Sequence, residues 1–133
     1  SVLLLMVSQA MIVILICVNR GEGDFMILDI KQEIINLTNK IIEVTSPQKI
    51  YLFGSFAYGK PSNDSDIDLC IIIRDNQARK RDLIKSIRKS ISKVATVPVD
   101  ILIYNEEEFS KRAKLCSTIE YKIANEGISI YEQ

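Results

Sequence analysis

The chain has 133 residues, 47% apolar and 26% charged, the length and balance of one domain with a single modest core rather than of a disordered segment. Seventeen basic and seventeen acidic side chains cancel, so overall charge argues against nucleic acid or a membrane surface as a partner. Histidine is absent, and Cys17, Cys70 and Cys116 form no CxxC pair, which argues against a zinc site and a disulfide framework. Free thiols fit a reducing, cytoplasmic setting. Any metal would be held by oxygen, which points to Mg²⁺ or Mn²⁺.

Residues 1–25 are read as an apolar N-terminal extension, and residues 26–133 as the domain proper. Val2 to Val18 is apolar except for Ser8 and Gln9, a length at the bottom of the membrane-spanning range. A secretory signal would open on a basic stretch, and none is present. The chain begins with Ser1, which suggests a processed or engineered start. The extension is read as an added strand or helix packing on the domain or on a second copy, the latter making a homo-oligomer. "RGEGD" (Arg20 to Asp24) reads as a flexible link.

Asp29, with Gln32 three residues on, suggests a capped helix start. Ile30, Ile34, Leu37, Ile41 and Val44 then line one helical face, and Ser46-Pro47 ends it. "KIYLFG" (Lys49 to Gly54) reads as a strand, residues 55–65 as a turn-rich connection, and "DIDLCIII" (Asp66 to Ile73) as a central strand covered on both faces. Residues 77–95 read as a second helix with Ile84, Ile87, Ile91 and Val94 inward. "VPVDILIY" (Val97 to Tyr104) follows as a third strand. Asn105, with Glu108 three on, caps one long third helix whose apolar face is Phe109, Ala113, Cys116, Ile119 and Ile123. Gly127 stops it, and "ISIY" (Ile128 to Tyr131) is a last strand. The expected class is α/β (α+β), a small mixed sheet flanked by helices.

The chemistry concentrates in "GSFAYGKPSNDSDIDL" (Gly54 to Leu69). Side chains two apart in a strand share a face, so Asp66 and Asp68 project together. Two such carboxylates repel unless a cation lies between them. Asp100 lies in an otherwise apolar strand, where a charge is costly without a partner. If the two strands are neighbours, the three carboxylates converge on a hard divalent ion. Gly54 and Ser55 follow a strand and open a turn, an arrangement in which backbone N–H groups and a hydroxyl hold phosphate oxygens. The combination suits a metal-bound triphosphate, with Asp66, Asp68 and Asp100 as metal ligands and Asp100 as a proton acceptor.

"LFGSFAYGKPSNDSDIDLCII" resembles the GS-x10-DxD signature of minimal nucleotidyltransferase (MNT) domains, of the DNA polymerase beta-like superfamily. "VDILI" resembles their third-carboxylate strand, and the likeness runs over residues 27–133. It implies the nucleotidyltransferase fold, with Gly54 and Ser55 on the triphosphate of ATP and Asp66, Asp68 and Asp100 on the metals. Lys60 and Ser65 join the nucleotide-binding set. Many relatives carry Arg where this chain has Tyr58, and Lys60 is close enough in sequence to substitute. The resemblance implies transfer of a nucleoside monophosphate, AMP from ATP, to a hydroxyl of a partner protein, as in antitoxins of HEPN-type toxins. The alternative is a non-catalytic antitoxin or binding module that acts by occlusion. Eight basic residues between Arg74 and Lys93 are read as the wet face of a helix rather than as a nucleic-acid site.

Overall fold

The computed structural model describes residues 24–59, 65–74 and 79–133, with side chains described from Gln32 onward. Residues 1–23 of the extension, Lys60 and the start expected for the second helix at residue 77 lie outside the described residues. Four helices and four strands follow in the order α1 (Asp24–Thr45), β1 (Lys49–Phe53), β2 (Ile67–Ile73), α2 (Lys80–Ile91), β3 (Val99–Asn105), α3 (Glu106–Ala113), α4 (Ile119–Glu126) and β4 (Ile128–Glu132). The strands form one mixed sheet in the order β3-β2-β1-β4. β1 runs antiparallel to β2 and β4, while β2 and β3 are parallel.

Period-two alternation assigns the two faces. Leu69 and Ile71 of β2 join Ile50, Leu52, Ile101, Ile103 and Ile130 against Ile34, Leu37 and Ile41 of α1 and Ile87 and Ile91 of α2. Cys70 and Ile72 face the other way, with Phe53, against Phe109 of α3 and Ile123 of α4. Eleven large side chains are buried to below 2% exposure; all but Ile123 lie in the α1/α2 layer, and Phe53, Cys70, Ile72 and Phe109 complete the smaller layer around Ile123. β2 is therefore apolar on both faces along most of its length, as its sequence suggests.

Two expectations are corrected. Helix α1 begins at Asp24, so Asp29 lies inside it rather than capping it. The single third helix is two helices joined by a turn at residues 114–118. Thr118 breaks it: its hydroxyl accepts from the Tyr121 N–H at 3.1 Å, and its N–H donates to the Leu115 carbonyl at 3.0 Å. Cys116 is exposed and Ile119 is 50% exposed, so the apparent apolar stripe does not run continuously. The Asn105 cap forms, accepting from the Glu108 N–H at 2.7 Å. The Glu108 carboxylate takes the Lys80 ammonium.

Candidate active site

β1 ends at Phe53, and the chain turns at Gly54 with φ of 78°. The Gly54 carbonyl then accepts from the N–H groups of Ala57 at 3.0 Å and Tyr58 at 2.9 Å, which closes a helical turn over Ser55. Phe53 pairs with Asp68 across the antiparallel ladder, so the turn stands directly beside that aspartate. A Cβ on Gly54 would lie 2.0 Å from Asp68 Oδ2. A side chain there would have to displace that carboxylate, and glycine is also the residue that tolerates this φ.

Asp68 pairs with Asp100 across the parallel β2–β3 ladder. Both lie on the α3/α4 side of the sheet, at the end those helices leave open. Burial pushes the Asp68 carboxyl up to about 6, and the charge of Asp100, a hydrogen bond between the two carboxyls and the charge of Asp66 add to the effect. Two expectations about the acids change. Asp100 is exposed rather than enclosed by its apolar strand, because the α3/α4 layer stops short of it. Asp66 precedes β2 instead of lying in it, and it reaches Asp68 through charge. Among the described residues no three acidic, cysteine or histidine side chains are grouped as a ready-made ion site. An ion here would bind the Asp68–Asp100 pair and draw Asp66 in. The donor set suits one: oxygen-only, crowded by like charge, and relieved by a divalent cation.

Ser55 and Ser65 are half-buried on either side of the loop. Tyr58 is half-buried, with the Lys122 ammonium 4.7 Å from its ring centre. Burial raises the Tyr58 hydroxyl above its ordinary value, the Gly54 backbone lowers it, and the charges of Glu126 and Asp68 raise it further.

One acid escaped the sequence reading. Glu33 of α1 is buried, and its Oε1 accepts from the N–H of Thr96, from the Thr96 hydroxyl at 2.8 Å and from the Val97 N–H at 3.3 Å. Pro98 then accepts from the Ile67 N–H at 3.0 Å. A chain of hydrogen bonds thus runs from α1 to the residue between Asp66 and Asp68. The signal was Glu33's place beside Ile34 and four residues before Leu37, which puts a charge on the edge of the apolar face.

The nucleotidyltransferase domain model matches residues 34–125, a span that holds the Gly54 turn and all three aspartates. The chain belongs to the nucleotidyltransferase domain family. Among solved structures, a presumed nucleotidyltransferase from Sulfolobus solfataricus is similar, at 19% identity and a TM-score of 0.50, over 86% of this chain and 93% of that one. This likeness supports the nucleotidyltransferase fold. A toxin-antitoxin structure with AMP-PNP is similar at 22% identity and a TM-score of 0.46, over 77% of this chain and 73% of that one. No protein with a curated description matches the chain. Among the described residues no helix is long and apolar enough to cross a membrane.

Proposed function

We propose that this nucleotidyltransferase domain moves a nucleoside monophosphate, AMP from ATP, onto a hydroxyl of a partner protein in a Mg²⁺-dependent reaction. The observation that carries the reading is the contact of the Gly54 turn with Asp68, itself paired with Asp100. A phosphate-holding turn and a pair of carboxylates share one open end of the sheet. Asp66, Asp68 and Asp100 would hold Mg²⁺, which when bound neutralises phosphate charge and favours ionisation of the attacking hydroxyl.

The chain's own residues supply the rest. Gly54 lets the backbone approach the polyphosphate, and Ser55 offers a hydroxyl to it; Lys60 and Ser65 complete that set. Asp100, exposed at the rim, takes the proton of the acceptor hydroxyl. The hydroxyl oxygen then bonds to the α-phosphorus, and pyrophosphate leaves. The motif resemblance favours a HEPN-type toxin as the partner, with this chain its antitoxin.

Incubation with α-labelled ATP, Mg²⁺ and the candidate partner tests the reading. Transfer of label by wild type and its loss in Asp68→Ala is the expected result. Label transfer that survives Asp68→Ala refutes the assignment. Neutralisation of the partner without any transfer would favour the occlusion alternative.

A further inference from the structure

Lys122 of α4 is exposed, and its ammonium lies 4.7 Å from the centre of the Tyr58 ring. Among the described residues no carboxylate forms an ion pair with it. Glu126, four residues on, is no exception, and glutamate C-terminal to lysine is the weaker order for such a pair. The helix dipole does not account for the lysine either, because the last turn of α4 carries no basic residue. Lys49, Lys80, Lys111 and Arg112 each hold a carboxylate, and Lys114 lines a hollow with Gln48 and Gln133 at the far end of the sheet. Lys122 has neither role.

The topology carries Lys122 to the site. α4 ends just before β4, whose Ile128 pairs with Leu52 of β1. A Cβ on Gly127 would lie 3.3 Å from the Leu52 carbonyl oxygen, so the end of α4 closes on the end of β1. The Gly54 turn follows directly, and Tyr58 completes it, its N–H donating to the Gly54 carbonyl at 2.9 Å. The Tyr58 ring packs against both core layers, which fixes the platform beneath the ammonium. Burial acts most strongly on the Tyr58 hydroxyl, and the charges of Glu126 and Asp68 both reach it, so the ring stands between α4 and the carboxylates.

Three carboxylates already crowd this end of the sheet, and a polyphosphate adds further negative charge. A divalent ion offsets part of it, and an ammonium on a flexible four-carbon stem offsets more. An exposed ring holds an ammonium weakly, whereas a charge-assisted hydrogen bond to a phosphate oxygen is stronger. We propose that Lys122 takes the β- and γ-phosphates of the nucleoside triphosphate, moving to them from the Tyr58 ring that holds it beside the Gly54 turn. The inference rests on the nucleotide-transfer reading given above and adds to it a residue outside the motif.

Calorimetric titration of the full chain with ATP and with AMP, each with Mg²⁺ and without acceptor, tests the assignment. AMP lacks the outer phosphates, so the two ligands separate this contact from the rest of the site. Lys122→Gln should bind ATP roughly tenfold more weakly, the effect of losing one hydrogen bond to a charged group, and should bind AMP as wild type does. Lys122→Arg should keep most of the ATP affinity, and Lys111→Gln on α3 all of it. Tyr58→Leu, which removes the ring and keeps an apolar side chain, should show a smaller loss for ATP alone. Equal loss of both ligands in Tyr58→Leu would overturn the holding role of the ring. A Lys122→Gln protein that binds ATP as tightly as wild type, or that loses ATP and AMP equally, overturns the proposal and leaves the nucleotide reading standing. A wild type that binds neither nucleotide overturns both.

Discussion

Replacing Gly54 by alanine separates stability from the site. The residue has a φ of 78°, where a side chain costs about 1–2 kcal/mol. The new methyl would also lie 2.0 Å from Asp68 Oδ2, well inside a carbon contact of about 3.5 Å. That oxygen is the end of a rotatable side chain, so the carboxylate swings away and the sheet survives. The total loss should be about 2 kcal/mol, a fall in melting temperature of roughly 5–10 °C for a chain of this length. Nucleotide transfer should fall much further, on the order of 100-fold, because a reacting group displaced by an ångström loses its alignment. Thermal unfolding, Mn²⁺ titration and label transfer on the same sample measure the three quantities. Gly54→Ala with wild-type Mn²⁺ affinity and transfer rate would show that Asp68 is not held by this turn, and the site as described would fall.

Three further outcomes are expected. Glu33→Ala removes the acceptor for three donors at the approach to β3 and should cost about 2–3 kcal/mol, since water recovers part of the loss at exposed Thr96; its urea midpoint should fall, and Glu33→Gln should recover part of the shift. Glu120 is 2% exposed, and although burial opposes its charge, hydrogen bonds from Arg112 and Tyr104 hold its carboxyl below its ordinary value of 4.5. The stability it contributes is therefore present above about pH 4.5 and lost as pH falls through the lower folded value, so Glu120→Gln should flatten the acid limb of a stability-against-pH curve. Burial, with the charge of Glu120, pushes the Cys70 thiol up to about 12, so a thiol reagent at neutral pH should modify exposed Cys116 in the folded protein and reach Cys70 on unfolding.

Helix and strand order was legible because each sheet face needs its own apolar row, and the rows are written plainly in β1, β2 and β3. The split between α3 and α4 was not. Phe109, Ala113, Cys116, Ile119 and Ile123 keep helical spacing, and periodicity alone joins them. Thr118 decides otherwise, since its hydroxyl satisfies a free N–H only if a new helix starts there. The start of α1 was missed for the opposite reason. Asp29 and Gln32 imitate a capping box, but a cap signal does not end a helix that already runs through it.

For the candidate site, spacing placed Asp66 near Asp68 and the glycine turn ahead of both, but it could not say what Asp100 meets. That depends on the register of two parallel strands separated by α2. A slip of one residue would put the Asp100 side chain on the α1 face, among Ile101's present neighbours, and leave Asp68 without a partner. Hydrogen bonds fix the register where β3 begins: Glu33 holds Thr96 and Val97, and Pro98 holds Ile67. A buried acid with no place in any motif thus anchors the two strands that the motif needs. In the proposed reaction the carboxylates would supply the chemistry, and the distant glutamate fixes the register that brings two of them together.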